Sequence, residues 1–376
     1  MKISRIDAFQ VQWSPTDKPA QRSAFVRVHT DERISGLGEA SPMQGGRASL
    51  GMIVHDIAPH LIGKDPLDHA VLLDTAFHAL AKLGPEGVLT GALAALDIAL
   101  WDFKGKLTNL PLYKLMGGAW RTALPFYSSI GGNADRPLDE VLRVVERRLQ
   151  DKPAAVKIRF DTSRTRLDAD IPGDIAKARA VRKLVGDRFP LAFDANNGYT
   201  TGGAIRVGRA LEELGYWWFE EPVQHYHLKA MGEVARALDI TVSAGEQTYT
   251  LSGLADLIDA GVRMVQPDIV KMGGITGLMR CAAVAHARGV ELVPHQTQPT
   301  VGHMANLHFA ATQLHATKPC EWNDPTSRTH AVFANPPKPM DGLFHLPSVP
   351  GLGLEVNEAE LSARSVPLDV RSDTVV

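Results

Sequence analysis

The organisation of this chain is decided by three short segments, LAFDANN (191–197), WWFEEPV (217–223) and TVSAGEQ (241–247). Each places an acidic residue after an apolar or small-residue run, and these residues, Asp194, Glu220 and Glu246, follow one another at intervals of 26 residues. An interval of about that length accommodates one strand, one helix and two loops. The spacing therefore predicts consecutive βα units, whose parallel strands bring the three acids to one face of the sheet.

The three carboxylates are predicted to form a divalent metal site. Three negative charges brought to one place repel each other unless a cation lies among them. Oxygen ligands favour a hard ion, so we expect one Mg²⁺ per chain rather than Zn²⁺. A single acid after a strand is more often a solvated loop residue or a helix N-cap, but three acids in the same register of consecutive units favour the metal.

Composition and charge exclude several classes of protein. The 376 residues are 44% hydrophobic and 22% charged, enough for one large domain and a smaller one. A net charge of −2 without a basic run argues against a nucleic-acid partner. The two cysteines, Cys281 and Cys320, are far apart and give no disulfide framework. The start reads as a strand and no apolar run reaches 18 residues, so we expect a cytoplasmic protein without membrane contact.

The sequence pattern changes near residue 124 from a mixed region to a regular alternation of strands and helices. We predict a small α+β domain at 1–122, a barrel at 123–325 and a returning Pro- and Gly-rich segment at 326–376. The predicted barrel strands are 124–129, 154–159, 190–194, 216–219, 241–244, 263–267, 290–294 and 318–322. Eight such units fit a (β/α)₈ barrel, whose active site lies at the strand carboxyl ends. The alternative is an open doubly wound sheet, which predicts a site at one switch point only.

Other predicted strand ends add polar residues on both sides of the acidic triad. Alternation sends Lys157 and Arg159 to the same side of the second strand. Asp268 ends the sixth strand, His295 ends the seventh and Glu321 ends the eighth. The triad is therefore expected between a cationic pair and an Asp–His pair.

Taken together, these motifs resemble the enolase superfamily, and within it the mandelate racemase group, over the whole chain. The resemblance is carried by GLGE (36–39), ALDIALWDFKGK (95–106), FDANN (193–197), FEEPV (219–223), AGEQ (244–247), QPDIVKMGGITG (266–277), PHQ (294–296) and PGLGLE (350–355). It implies an α+β capping domain over a (β/α)₇β barrel. It also implies loss of an α-proton from a metal-bound carboxylate substrate to give an enediolate.

The resemblance also implies roles for individual residues. Muconate-lactonizing and dipeptide-epimerase relatives have a catalytic Lys at the end of strand six, where this chain has Asp268. Asp268 and His295 resemble the group's Asp–His dyad, in which a carboxylate fixes the imidazole tautomer and raises its basicity. Lys157 is expected to contact the substrate carboxylate, Glu321 to hydrogen-bond it as a protonated acid, and Asn196 to bind substrate.

The chain departs from the group at Arg159, where many relatives have a second Lys as a base. Arginine has a pKa above about 12 and is almost never neutral at pH 7. A lysine begins near 10.4 and a neighbouring dication lowers its pKa further. Arg159 is thus the poorer base, and its forked donors suit a substrate oxygen, although some members of the group do use Arg in proton transfer.

Two activities remain open on these residues. The first is dehydration of an acid sugar, an aldonate or aldarate, to a 2-keto-3-deoxy acid by a hydro-lyase that uses His295 as base. The second is racemisation or epimerisation of a 2-hydroxy acid, which needs bases on both faces and is weakened by Arg159. A non-catalytic barrel would have lost a ligand or the dyad, and neither is missing.

Substrate specificity is assigned to two loops of the capping domain, 13–24 and 41–50. The resemblance implies that they close over the barrel mouth, where Trp13, Arg22 and Arg47 are candidate substrate-binding residues. An arginine that points into the site would bind a second carboxylate, and we expect such a diacid. Two solvent-facing arginines would favour an aldonate. The expected partners are this small acid and, as in relatives, further copies of the chain in a dimer or octamer.

Overall fold

The amino-terminal part of the protein is an antiparallel sheet packed on helices, called the cap below. The computed structural model describes residues 1–13, 22–160, 165–315, 318–323 and 331–366. The cap strands are β1 (Ile3–Gln12), β2 (Arg22–Thr30) and β3 (Ser35–Ala40). Its helices are α1 (Arg47–Met52), α2 (Ala58–Leu61), α3 (His69–Leu80), α4 (Val88–Thr108) and α5 (Leu112–Leu115), with short 3₁₀ or π turns at Met43–Gly46, Ile53–Ile57, Pro66–Asp68 and Ala81–Leu83.

The close packing of β3 on α4 explains the glycines of the GLGE motif. A Cβ atom on Gly36 would lie 1.8 Å from the carbonyl oxygen of Ala99, and one on Gly38 would lie 1.9 Å from that of Ala95. Only glycine allows the strand backbone to approach the helix backbone this closely. The contact also fixes the direction of Glu39, the next residue of the motif, whose side chain is fully buried.

The second part of the chain alternates strands and helices, as the sequence predicts. Its strands are β4 (Ala123–Ile130), β5 (Ala155–Arg159), β6 (Leu191–Asp194), β7 (Trp218–Glu220), β8 (Thr241–Ala244), β9 (Met264–Val265), β10 (Glu291–Leu292) and β11 (Cys320–Trp322). Its helices are α6 (Leu138–Leu149), α7 (Ile171–Val185), α8 (Thr201–Glu213), α9 (Leu228–Ala237), α10 (Leu251–Ala260), α11 (Gly274–Ala287) and α12 (Val301–Ala311).

The described strands form a curled parallel sheet in the order β10-β9-β8-β7-β6-β5-β4-β11. The last strand pairs with the first, Glu321 opposite Tyr127, so the sheet turns back on itself. Eight parallel strands joined by seven helices confirm the (β/α)₇β barrel. The doubly wound alternative is wrong, because neighbouring strands follow sequence order without a reversal.

Two strands are less than half as long as predicted. The expected strands 263–267 and 290–294 are observed as two-residue pairs, β9 and β10. Pro267 and Pro294 lie just beyond them, and proline has no N–H to donate to the ladder. Pairing resumes as an isolated parallel bridge between Asp268 and His295, which brings these two residues side by side.

The carboxyl-terminal segment contacts both parts of the molecule. It contains β12 (Leu343–His345), which pairs antiparallel with β4, α13 (Glu358–Arg364), and β13 (Ser365–Val366), which pairs antiparallel with β1. Arg364 donates from its Nη1 to the carbonyl oxygen of Trp13 at 2.6 Å. The predicted segment 326–376 includes residues 326–330 and 367–376, which lie outside the described residues.

A small apolar cluster inside the barrel sets the depth of the site. It contains one residue from each of six segments: Tyr127, Ala155, Ala192, Trp218, Met264 and Val293. Two residues after Ala155, Ala192 and Trp218 come Lys157, Asp194 and Glu220. Because side chains alternate along a strand, these charged groups point into the same interior, one layer nearer the carboxyl ends. No helix formed by the described residues has the length and apolarity needed to cross a membrane.

Candidate active site

The acidic triad lies on three neighbouring strands at the carboxyl face of the barrel. Asp194 and Glu220 are paired across β6 and β7, and Ser243 on β8 pairs with Glu220, so Glu246 follows three residues later. Asp194 is 2% exposed and Glu220 is 1% exposed. The backbone N–H of Asn196 donates to Asp194 Oδ1 at 2.7 Å. The strand register therefore brings the predicted ligands together as the spacing implies.

Lys157 provides the main positive charge among these carboxylates. Its Nζ lies 2.7 Å from Glu220 Oε1, 2.9 Å from Glu321 Oε1 and 3.8 Å from Asp194 Oδ2. Burial opposes the charge of this ammonium, but the carboxylates, Glu220 foremost, outweigh it and raise the pKa of Lys157 well above its ordinary value. Lys157 is therefore a fixed cation in this arrangement.

His295 lies between two carboxylates on the opposite side of the triad. Its Nδ1 is 2.8 Å from Asp268 Oδ2, and its Nε2 is 2.8 Å from Glu246 Oε2. Burial opposes protonation, yet Glu246 and Asp268 raise the pKa of His295 well above its ordinary value. Lys271 donates to the carbonyl oxygen of Glu246 at 2.9 Å and lies 3.7 Å from Asp268. The predicted Asp–His pair is thus formed and touches the triad through Glu246.

The three carboxylates of the triad are suitable ligands for a divalent cation. In this structure Glu220 and Glu246 are instead bonded to positively charged side chains. Among the described residues no three His, Cys, Asp or Glu side chains already lie at metal-ligand spacing. Lys157 and His295 supply the positive charge instead. Burial, and then repulsion from Glu220, raises the pKa of Asp194 well above its ordinary value. A cation bound among the carboxylates would relieve this repulsion.

Arg159 and Asn196 border the triad on the β5–β6 side. Arg159 is paired with Asp194 across the two strands, and its guanidinium acts to lower the pKa of that carboxyl. Asn196 has a left-handed backbone with φ of 45°. This conformation lets its N–H turn back to Asp194 two residues earlier. Both residues therefore adjoin Asp194, one across the strand pair and one through its backbone N–H.

Glu321 accepts hydrogen bonds from both a charged side chain and a backbone N–H. Its Oε1 accepts from Lys157, and its Oε2 accepts from the backbone N–H of Gln296 at 2.9 Å. Burial favours the neutral acid, but Lys157 and His295 prevail and hold the pKa of Glu321 below its ordinary value. These contacts favour the carboxylate form of Glu321, and the protonated acid expected from the sequence would be favoured if Lys157 moved away.

The side chains of Trp13 and Arg22, at the two described ends of the first specificity loop, make their hydrogen bonds within the cap. Trp13 is buried and donates from its indole to Ser23 Oγ at 2.9 Å. Arg22 donates to Gln10 Oε1 at 3.0 Å. Arg22 alternates with Ser23 along β2, so it shares the face of Ala24, which packs inside the cap. Of the predicted loop 13–24, residues 14–21 lie outside the described residues.

In the second loop, Arg47 is exposed at the start of α1. Among the described residues, neither Arg22 nor Arg47 forms a hydrogen bond or ion pair with the triad or with the Asp–His pair. The cap contributes Glu39, the last residue of the GLGE motif, to the contact with the barrel. Glu39 accepts from the backbone N–H of Gly302, at the start of α12, at 2.9 Å. Burial raises the pKa of Glu39 to about 7.

Other functional candidates were missed because their signal is weak in the sequence. Gln266 donates to Glu220 Oε2 at 2.9 Å, and Trp218 donates to the same oxygen at 3.2 Å. Glu221, which follows Glu220 in the FEEPV motif, is also buried, at 1% exposure. The sequence does contain one indication of the role of Gln266, because a polar residue at the end of an otherwise apolar strand is unexpected.

Comparison with known protein families agrees with this geometry. The model of the mandelate racemase / muconate lactonizing enzyme N-terminal domain matches residues 5–117, and that of the enolase C-terminal domain-like family matches residues 140–360. The chain therefore belongs to the mandelate racemase / muconate lactonizing enzyme family of the enolase superfamily.

Individual relatives are similar over nearly their whole length. The chain is 31% identical to a D-galactonate dehydratase of Variovorax paradoxus, covering 96% of this chain and 94% of that protein. It is 30% identical to an L-talarate/galactarate dehydratase of Salmonella typhimurium, covering 91% and 82%. A crystal structure of a mandelate racemase/muconate lactonizing protein from Paracoccus denitrificans, complexed with magnesium, is 64% identical, covers 97% and 98%, and has a TM-score of 0.94.

Proposed function

We propose that this protein is a Mg²⁺-dependent enzyme that removes the α-proton of a hydroxycarboxylic acid and dehydrates an acid sugar to a 2-keto-3-deoxy acid. One observation carries the proposal: His295 lies 2.8 Å from Asp268 on one ring nitrogen and 2.8 Å from Glu246 on the other. A base that is oriented by one carboxylate and adjoins an acidic triad suits α-proton abstraction from a bound carboxylate.

Asp194, Glu220 and Glu246 would hold the metal ion. When bound, Mg²⁺ supplies positive charge that stabilises the enediolate relative to the substrate carboxylate. Lys157, on the other side of the triad, would bind the same carboxylate, because its ammonium is buried and fixed by Glu220 and Glu321. Dehydratases among the relatives and magnesium in the neighbouring crystal structure support this choice.

His295 would carry the proton in both halves of the reaction. In the present ion pairs His295 is held in its charged form, so it would act as a base only after Glu246 exchanges the imidazole for a bound cation. Its Nε2 would then accept the α-proton, and Asp268 would stabilise the imidazolium that forms. The β-carbon–oxygen bond then breaks, and the departing hydroxyl takes that proton from His295 and leaves as water. The remaining enol tautomerises to the 2-keto acid. The α-proton thus leaves in the water molecule, and the electron pair of the broken C–H bond forms the carbon–carbon double bond of the enol.

The placement of the cap arginines favours an aldonate rather than the diacid expected from the sequence. Arg47 is exposed, and Arg22 is bonded to Gln10 on the cap's own face of β2. Because neither of these cap arginines bonds to the triad, the distal end of the substrate is better matched by neutral hydroxyl groups than by a second carboxylate.

Racemisation or epimerisation is the second candidate, and one observation favours it. Lys157 and His295 approach the triad from different sides, one bonded to Glu220 and the other to Glu246. Proton transfer on both faces of an α-carbon requires such an arrangement. The high pKa of Lys157 in the present ion pairs weighs against it as a base.

A screen of aldonic and aldaric acids tests the proposal. The protein is incubated with each acid and Mg²⁺ in D₂O, and the products are identified by NMR. Dehydration gives a 2-keto acid, whereas racemisation gives α-deuterated substrate of inverted configuration. The proposal is wrong if no acid turns over and if removing Mg²⁺ with EDTA changes nothing.

A further inference from the structure

A ring of polar side chains lies directly behind the acidic triad. It consists of Asn197, Glu221 and Gln247 and is called the outer ring below. Glu221 and Gln247 each follow a triad residue immediately, and Asn197 comes three residues after Asp194. The ring therefore occupies the loops that follow β6, β7 and β8, the three strands that carry the predicted metal ligands.

One carboxylate oxygen joins the three loops. Oε2 of Glu221 accepts a hydrogen bond from Nδ2 of Asn197 and another, at 2.9 Å, from Nε2 of Gln247. Oδ1 of Asn197 in turn accepts the backbone N–H of His225 at 2.7 Å. Glu221 and Asn197 are buried, at 1% and 0% exposure, so water does not compete for these bonds. The loops are thus cross-linked through Glu221.

The backbone at these positions is held in an unusual conformation. Glu221 has φ of 39° and Asn197 has φ of 66°, both in the left-handed region. The N–H of Asn197 donates to the carbonyl oxygen of Glu221 at 2.8 Å, and the N–H of Glu221 donates to that of Ser243 at 2.9 Å. Residues other than glycine keep such conformations only where the surroundings fix them, and they concentrate at functional sites.

We propose that Glu221 is a positioning residue for the metal site. By holding Asn197 and Gln247 on one oxygen, it fixes the loop backbones that aim Asp194, Glu220 and Glu246 at a common point. Partners of this kind, which orient ligands without touching the ion, commonly control metal affinity. The inference rests on the proposed function only in taking the triad as the Mg²⁺ site.

Substitutions at Glu221 separate hydrogen bonding from charge. Glu221→Leu leaves the two side-chain donors without an acceptor, and we expect Mg²⁺ affinity to fall by about 10- to 100-fold. Glu221→Gln keeps an acceptor oxygen of the same reach, so it should retain most of the affinity. Gln247→Met removes one donor and should weaken binding less than Glu221→Leu does. Both substitutions break the same hydrogen bond. The loss of Mg²⁺ affinity in the double variant should therefore be smaller than the sum of the losses in the two single variants.

Glu212→Leu is a matched control at the other end of the barrel. Oε1 of Glu212 also accepts two N–H groups, those of Asp239 and Ile240, just before β8 begins. The substitution makes the same chemical change far from the triad. It should lower the melting temperature and leave Mg²⁺ affinity unchanged.

The experiment is calorimetric titration of Mg²⁺ into EDTA-stripped protein without substrate, with melting followed by circular dichroism. The proposal is supported if Glu221→Leu loses affinity, Glu221→Gln retains it and Glu212→Leu is unaffected. It is overturned if Glu221→Leu binds Mg²⁺ like the unaltered protein, or if the Gln and Leu variants lose equally, which would indicate charge alone. If Glu221→Leu does not fold, unchanged affinity in Gln247→Met overturns it. If no acid sugar reacts, the proposed function is wrong, but the positioning role of Glu221 is unaffected. If the unaltered protein binds no Mg²⁺, both the proposed function and the role of Glu221 are refuted.

Discussion

Replacement of His295 with asparagine should stop catalysis and preserve the metal site. In the structure, Nδ1 of His295 bonds Asp268 and Nε2 bonds Glu246, both at 2.8 Å. An asparagine amide can still donate to Asp268, so that buried carboxylate keeps a partner. No asparagine atom reaches as far as Nε2. The substitution therefore removes the base and frees Glu246, a predicted metal ligand, from its bond to imidazole.

The size of the effect follows from the loss of a general base. Proton transfer by a positioned side chain contributes about 10²- to 10⁴-fold to a rate. This corresponds to about 3–5 kcal/mol of activation free energy. We expect kcat to fall by about 10²- to 10⁴-fold. Mg²⁺ affinity should stay unchanged or rise, because Glu246 loses the imidazole that competes with the metal ion.

The assay combines three measurements on one preparation. NMR in D₂O follows α-deuterium incorporation and 2-keto acid formation, calorimetry gives Mg²⁺ affinity, and circular dichroism checks the fold. Wild-type exchange of the α-proton in His295→Asn would refute the assignment of the base. A decrease in kcat of less than tenfold would do the same. Loss of Mg²⁺ binding with an intact fold would show that His295 supports the metal site instead.

Three further substitutions test other parts of the site. Lys157→Met removes the buried cation beside Glu220 and Glu321, and should lower the free energy of unfolding by about 3–5 kcal/mol. In urea titrations this loss should be smaller with Mg²⁺ present, because Mg²⁺ also neutralises the carboxylates. An equal loss with and without Mg²⁺ would contradict that explanation. Glu39 has a folded pKa of about 7 against an ordinary 4.5, so the folded protein binds more protons between these values and loses stability as pH rises through them. Glu39→Gln should therefore gain up to about 3 kcal/mol relative to the unaltered protein between pH 5 and pH 8 in urea titrations, and a pH-independent difference would refute the shift. Arg47→Met should change kcat/KM less than about threefold, because Arg47 is exposed and is not expected to bind substrate. A decrease of about tenfold or more, the cost of losing a hydrogen bond to a charged group, would instead favour a diacid substrate.

The sequence by itself determined the repeat of strands and helices and the identity of the acidic triad. The 26-residue interval between Asp194, Glu220 and Glu246 depends only on local periodicity, because the lengths of one strand and one helix fix where the next strand ends. The same register predicted Asp268 and His295 on adjacent strands, and the structure pairs them directly. Even the shortening of β9 and β10 has a local cause in Pro267 and Pro294, although it was not predicted.

Only the tertiary structure decided which charges pair and which face each side chain takes. Lys157 had three carboxylates within reach of its strand, and its bonds to Glu220 and Glu321 depend on distances across the barrel. The bond to Lys157 favours the carboxylate form of Glu321 against the effect of burial, whereas the sequence suggested a protonated acid. Arg22 shares a face of β2 with Ala24 and bonds to Gln10 within the cap. Electrostatic pairing depends on separation and solvent exposure in three dimensions, and a pattern of residue types along the chain contains neither quantity.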